Sequence, residues 1–243
     1  MRFALAGILS VARSRFLTTS IGIPTMAAVE PNVAAIEVER KFQPEDPDSL
    51  KRKVLENGGS VVGEKRFVDV YWDSAGCVLT RRDTWLRQRG DGWELKVPIG
   101  DPADRRGASG GERTVFREIE GAEAVAAALE PLLPVKAEGP LASLLTANEL
   151  APFAEFETVR ARYTLGGCSL DADVASFGHA VLEIERMAES ESEVSQAEAE
   201  IERVAALLGA TPLGGTGGKL ETFIRTKRPD VLRQLVEAGV LKP

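Results

Sequence analysis

Histidine is nearly absent from this chain: 243 residues hold one, His179. A zinc centre built on histidines is thereby excluded, and a Ser/His/Asp triad would have to rest on that single residue. Lying between Gly178 and Ala180, His179 is expected to be structural. Cysteine is almost as scarce. Cys77 and Cys168 stand far apart, without metal-site spacing and far below the density of a disulfide scaffold, which points to a reducing compartment. Long apolar runs are missing too, since the one at residues 3–11 ends before Arg13, well short of the roughly 20 residues that span a bilayer. The chain is therefore expected to be soluble, with no membrane partner, and its 44% hydrophobic residues can fill a substantial core.

Acids are missing from residues 1–29, which carry Arg2, Arg13 and Arg15. The net charge is −7, so the remainder stands near −10 (−7 minus +3). An acidic body repels nucleic acid, and any polyanion must bind where cations are concentrated locally, in a pocket rather than on a broad basic face. The acid-free start resembles a mitochondrial or plastid presequence, with Met26 as an alternative start; the competing reading is a disordered tail or a misplaced gene start. Residues 1–33 are thus expected to be an extension and residues 34–243 the folded domain. The expected location is cytoplasmic, or organellar if the extension is used.

From residue 34 onward, strands and helices mix without a βαβ rhythm, which predicts an α+β fold with antiparallel pairing. Alternation predicts strands at 36–42, 66–73, 77–81, 84–89, 93–97, 113–120, 153–165, 168–173 and 180–187. Helical spacing predicts helices at 47–57, 122–133, 141–150, 192–208, 220–227 and 230–237, and the Gly- and Asp-rich stretch 100–111 reads as a mobile loop.

Several strands carry charges two residues apart, and a strand points such residues to one face. Glu37, Glu39 and Lys41 share a face, as do Arg87 and Arg89 with Trp85, Glu94 with Lys96, Asp171 with Asp173, and Glu183 with Glu185. A sheet with one wet side alternates in the same way. Clustering by sign favours an interior instead, because solvent-facing strands usually mix signs to avoid repulsion. Inside a closed barrel, clustered carboxylates need a cation such as Mg²⁺, and facing arginines and lysines would bind phosphate oxygens.

The run Glu37-Val38-Glu39-Arg40-Lys41 matches Glu-x-Glu-x-Lys. It is followed in order by Asp-Val-Tyr-Trp-Asp (69–73), Trp-Leu-Arg-Gln-Arg (85–89), Trp-Glu-Leu-Lys (93–96), Phe-Gly-His-Ala-Val-Leu-Glu-Ile-Glu (177–185) and Lys-Leu (219–220). In these motifs the chain resembles the CYTH proteins of the triphosphate tunnel superfamily, which include class IV adenylate cyclases, inorganic triphosphatases and thiamine triphosphatases, and the motif order is that of the last group. The resemblance implies an eight-stranded antiparallel β-barrel forming a tunnel, with helices outside. It implies Mg²⁺ on Glu37, Glu39, Asp171, Glu183 and Glu185, and triphosphate binding by Lys41, Arg87, Arg89, Lys96, Arg160 and Lys219. Glu118 and Asp173 are further candidates for the lining.

By the same resemblance the reaction is hydrolysis of thiamine triphosphate by a monomer, with inorganic triphosphatase, adenylate cyclase and a non-catalytic polyphosphate-binding module as alternatives. Lys96 with Tyr71 would help activate water, electropositive surroundings lowering both pKa values. Trp85 is either a stacking platform for the substrate's aromatic ring or an ordinary core tryptophan. Glycines 214, 215, 217 and 218 do not make a P-loop, because Leu213 and Leu220 stand where that motif needs Gly and Ser or Thr. They are expected instead to form a flexible segment delivering Lys219 to the tunnel mouth.

Overall fold

Strand alternation here serves a barrel turned inside out, with apolar residues facing outward under helices and charged residues facing inward. The computed structural model describes residues 35–100, 113–214 and 217–243. Its strands are β1 (Ile36–Phe42), β2 (Ser60–Asp73), β3 (Trp85–Arg89), β4 (Gly92–Pro98), β5 (Arg113–Glu120), β6 (Ala151–Leu165), β7 (Cys168–Ala175) and β8 (Ala180–Ala188). They close in the order β1-β5-β4-β3-β2-β6-β7-β8, every neighbouring pair antiparallel. Closure leaves no unpaired edge.

Among the described residues the helices are α1 (Pro47–Glu56), α2 (Ala122–Leu129), α3 (Leu141–Ala147), α4 (Val194–Leu208), α5 (Lys219–Lys227) and α6 (Pro229–Glu237). Asp46 caps α1 by accepting the Ser49 N–H at 2.9 Å, and Pro47 presets its first turn. Gly209 ends α4 in the left-handed conformation that a side chain would resist. Ile201, Val204 and Leu208 of α4 pack with Leu50 and Val54 of α1 onto Ile36, Val38, Leu170, Leu182 and Ile184. Each such side chain contributes about 1.5–3 kcal/mol by burial. A second core places α2 and α3 on Leu86 and Leu95, and a third joins α5 and α6 around Ile224, Val231 and Leu235. Among the described residues no helix is long and apolar enough to cross a membrane.

Two expectations need correction. Residues 77–81 are not a strand. The Asp73 carboxylate accepts the backbone N–H groups of Ser74 at 2.7 Å and Thr80 at 2.8 Å, curling the chain into a turn that ends in a 3₁₀ segment, Thr80–Arg82. β2 also begins six residues earlier than alternation suggested, because Ser60–Lys65 are exposed and carry no apolar face; pairing with β6 makes them a strand. The expected loop and the N-terminal extension lie outside the described residues, apart from Gly100.

Candidate active site

Because side chains alternate along a strand, the residues opposite the helix-covered faces converge on the barrel axis. They enclose a cavity of about 410 Å³, within the size range of small-molecule sites. Glu37, Glu39 and Lys41 reach it from β1, Tyr71 from β2, Trp85, Arg87 and Arg89 from β3, and Lys96 from β4. Arg160 enters from β6, Glu183 and Glu185 from β8, and Lys219 from α5. Asp171 is completely buried and does not line the cavity.

Charge in a low-dielectric interior has to be compensated, and the register arranges much of this. Arg160 meets Asp173 with two bonds of 2.7 and 2.6 Å, and Arg162 meets Asp171 at 2.6 and 2.5 Å. These residues stand directly opposite each other on β6 and β7. Arg89 grips Asp69 at 2.7 and 3.0 Å, Arg87 pairs with Glu94, and Lys96 pairs with Glu37 and, at 2.8 Å, with Glu118. Lys41 pairs with Glu39. The Arg87 Nε is buried without a hydrogen bond, 3.8 Å from Asp69 Oδ1.

Lys219 is the first residue of α5, 9% exposed, with its ammonium 2.5 Å from Asp173 and 2.6 Å from Glu183; the glycine segment expected to deliver it lies partly outside the described residues. A cation at a helix start opposes the helix dipole, and here two carboxylates supply the compensating negative charge.

The five expected metal ligands divide into two sets. Glu37, Glu39 and Glu185 each offer a carboxylate oxygen within 4.8 Å of the others. Glu183 pairs with Lys219 and Arg160, and Asp171 with Arg160 and Arg162, outside that cluster. Glu39 stands directly opposite Glu185, a like-charge pairing that destabilises a sheet unless a cation intervenes. Burial pushes the Glu185 carboxyl up to about 8, and the charges of Glu37, Asp171 and Glu39 add to this against the pull of Arg162. Burial raises Glu39 as well, against Lys41 and with help from Glu183 and Glu37. Glu37 moves down, since Lys96 and Lys41 outweigh its burial; Glu183 lies well below the usual range, where Lys219, Lys41 and Arg160 outweigh burial. Three carboxylate oxygens this close, two of them pushed toward protonation, fit a hard divalent cation such as Mg²⁺.

Lys96 and Tyr71 share this inner face, but their pKa values do not fall as expected. Although burial opposes its charge, Glu37, Glu118 and Glu94 hold the Lys96 ammonium well above its ordinary value. Burial and then Asp69 raise the Tyr71 phenol, against Arg87, Lys219 and Lys96. Trp85 lines the cavity and also packs against the core of α5 and α6. His179 stacks on Phe177 at 6.2 Å, as a structural residue would.

Sequence reasoning missed Arg162, Asp69 and Asp83. Arg162 follows Arg160 by two, the same signal that identified Arg87 and Arg89. Asp69 alternates with Tyr71 in the same way. Asp83 precedes its strand, and no periodicity marks it.

The CYTH domain family matches residues 35–212. Thiamine-triphosphatase from Homo sapiens is 32% identical over 218 residues, covering 84% of this chain and 90% of the human protein. The Macaca fascicularis thiamine-triphosphatase is 31% identical over 221 residues, covering 85% and 92%. Among solved structures, PH1819 protein from Pyrococcus horikoshii OT3 superposes with a TM-score of 0.53 at 19% identity, covering 79% of this chain and 99% of that one, a likeness of fold. With the family match spanning all eight strands and two relatives above 30% identity over most of their length, the chain belongs to the CYTH family.

Proposed function

We propose that this chain hydrolyses thiamine triphosphate to thiamine diphosphate and phosphate, with Mg²⁺ as cofactor. The observation that carries the reading is the cavity's division of labour: three close carboxylates and a facing set of arginines and lysines, brought together by one closed barrel. Binding an anion calls for cations alone; the carboxylate cluster calls for a metal as well. Similarity to two thiamine-triphosphatases supports the substrate.

Glu37, Glu39 and Glu185 would hold the ion, whose chemistry is to neutralise and orient phosphate oxygens. Lys41, Arg87, Arg89, Arg160 and Lys219 bind the triphosphate and stabilise charge on the transferring group, with Glu183 and Asp171 fixing the cations beside them. Lys96 and Tyr71, both held in their protonated forms, orient the attacking water as hydrogen-bond donors. Trp85 takes the aromatic end of the substrate. The enclosed site suits a small molecule, and the chain is proposed to act as a monomer.

Phosphate release from thiamine triphosphate, tripolyphosphate and ATP, each with and without Mg²⁺, tests the reading. Mg²⁺-dependent preference for thiamine triphosphate, lost in Glu39→Gln, is expected. Preference for tripolyphosphate would assign an inorganic triphosphatase, pyrophosphate release from ATP a cyclase, and binding without turnover a polyphosphate-binding module.

A further inference from the structure

Trp85 opens β3 with its side chain on the cavity wall. Its indole N–H donates to Asp83 Oδ1 at 3.0 Å. An indole N–H lies in the ring plane, so the carboxylate meets the ring at its edge and leaves the faces to packing and to the cavity. Asp83 itself also lines the cavity. Its backbone closes the 3₁₀ segment in the left-handed region, φ 57° and ψ 30°, with its N–H donated to the Thr80 carbonyl at 3.0 Å. Short polar side chains such as Asp tolerate that conformation. Backbone geometry thus fixes the carboxylate, and the carboxylate fixes the indole.

Resting on the reading that thiamine triphosphate is the substrate, we propose that Asp83 is a positioning residue for Trp85 and sets the preference for a substrate with a cationic heteroaromatic ring. The thiazolium of thiamine carries a positive charge. A carboxylate accepting the indole N–H makes the ring more electron-rich, which strengthens its attraction for a cation over its face. It also places negative charge at the wall that takes the ring, while the triphosphate goes to Arg87 and Arg89. Tripolyphosphate, having no ring, is indifferent to both effects.

Asp83→Gly and Asp83→Asn in the full chain separate these contributions, since both residues accept a positive φ. KM and kcat are measured for thiamine triphosphate and tripolyphosphate with Mg²⁺. The glycine variant is expected to raise KM for thiamine triphosphate about tenfold, a fraction of a full stacking contribution, with KM for tripolyphosphate unchanged. Asparagine keeps an acceptor for the indole without the charge and is expected to fall between glycine and wild type. Parallel changes for both substrates, or an unchanged KM for thiamine triphosphate in the glycine variant, overturn the inference while leaving the substrate reading intact. A wild-type chain inactive on thiamine triphosphate overturns both.

Discussion

Glu185 faces Glu39 across the β1–β8 ladder, and a Glu185→Gln variant tests whether their repulsion is real. The carboxyl titrates from 4.5 in an ordinary setting and at about 8 in the folded chain. Between those values the folded state binds the extra proton, so its stability falls as pH rises through that window. At about 1.4 kcal/mol per pH unit, roughly 3 kcal/mol has been lost by pH 7. Glutamine removes that penalty, and the opposing pull of Arg162 at 3.4 Å is already contained in the raised value. The variant should therefore be more stable by about 3 kcal/mol at pH 7, or about 6–12 °C in Tm for a domain of this size. Near pH 4, where the carboxyl is largely protonated in both states, the gain should vanish. Thermal melts in a chelating buffer from pH 4 to 8 measure it. Mg²⁺ should then raise the wild-type Tm more than the variant's, and the variant should lose most Mg²⁺-dependent turnover. A variant melting at or below wild type at pH 7, or a gain that does not change with pH, would refute the repulsive cluster.

Arg87→Ala should lower turnover by about 10²–10³-fold, comparable to losing one preorganised donor, and should also lower Tm because Glu94 loses its partner; normal hydrolysis would show that the inner cations are not used. Trp85→Ala should weaken thiamine triphosphate by about 1–3 kcal/mol while sparing tripolyphosphate, and equal losses measured as KM would make Trp85 purely structural. Ile184 points outward under α4, so Ile184→Ala should cost about 2–5 kcal/mol in denaturant unfolding while leaving KM unchanged; a KM effect without destabilisation would reverse the assignment of faces.

The sequence by itself determined which residues share a face, because a strand's period of two is a local property. Glu37 and Glu39, Arg87 and Arg89, and Glu183 and Glu185 were therefore legible as pairs sharing a face, and residues 192–208 as a helix. Like-sign clustering pointed to an interior, since only an enclosed cavity with counter-charges tolerates it. Which acid meets which cation was not legible. That depends on barrel closure and inter-strand register, which bring Asp171 opposite Arg162 and Glu39 opposite Glu185. Of the five expected metal ligands, closure brings Glu37, Glu39 and Glu185 within reach of one another and sets Asp171 and Glu183 against arginines and Lys219. Tertiary structure likewise decided residues 77–81, where Asp73 captured backbone donors that a strand would have paired, and the pKa values of Lys96 and Tyr71, which answer to burial and to acids brought from other strands. Periodicity fixes a side chain's direction from its immediate neighbours; its electrostatic partners lie tens of residues away and are set only when the sheet closes.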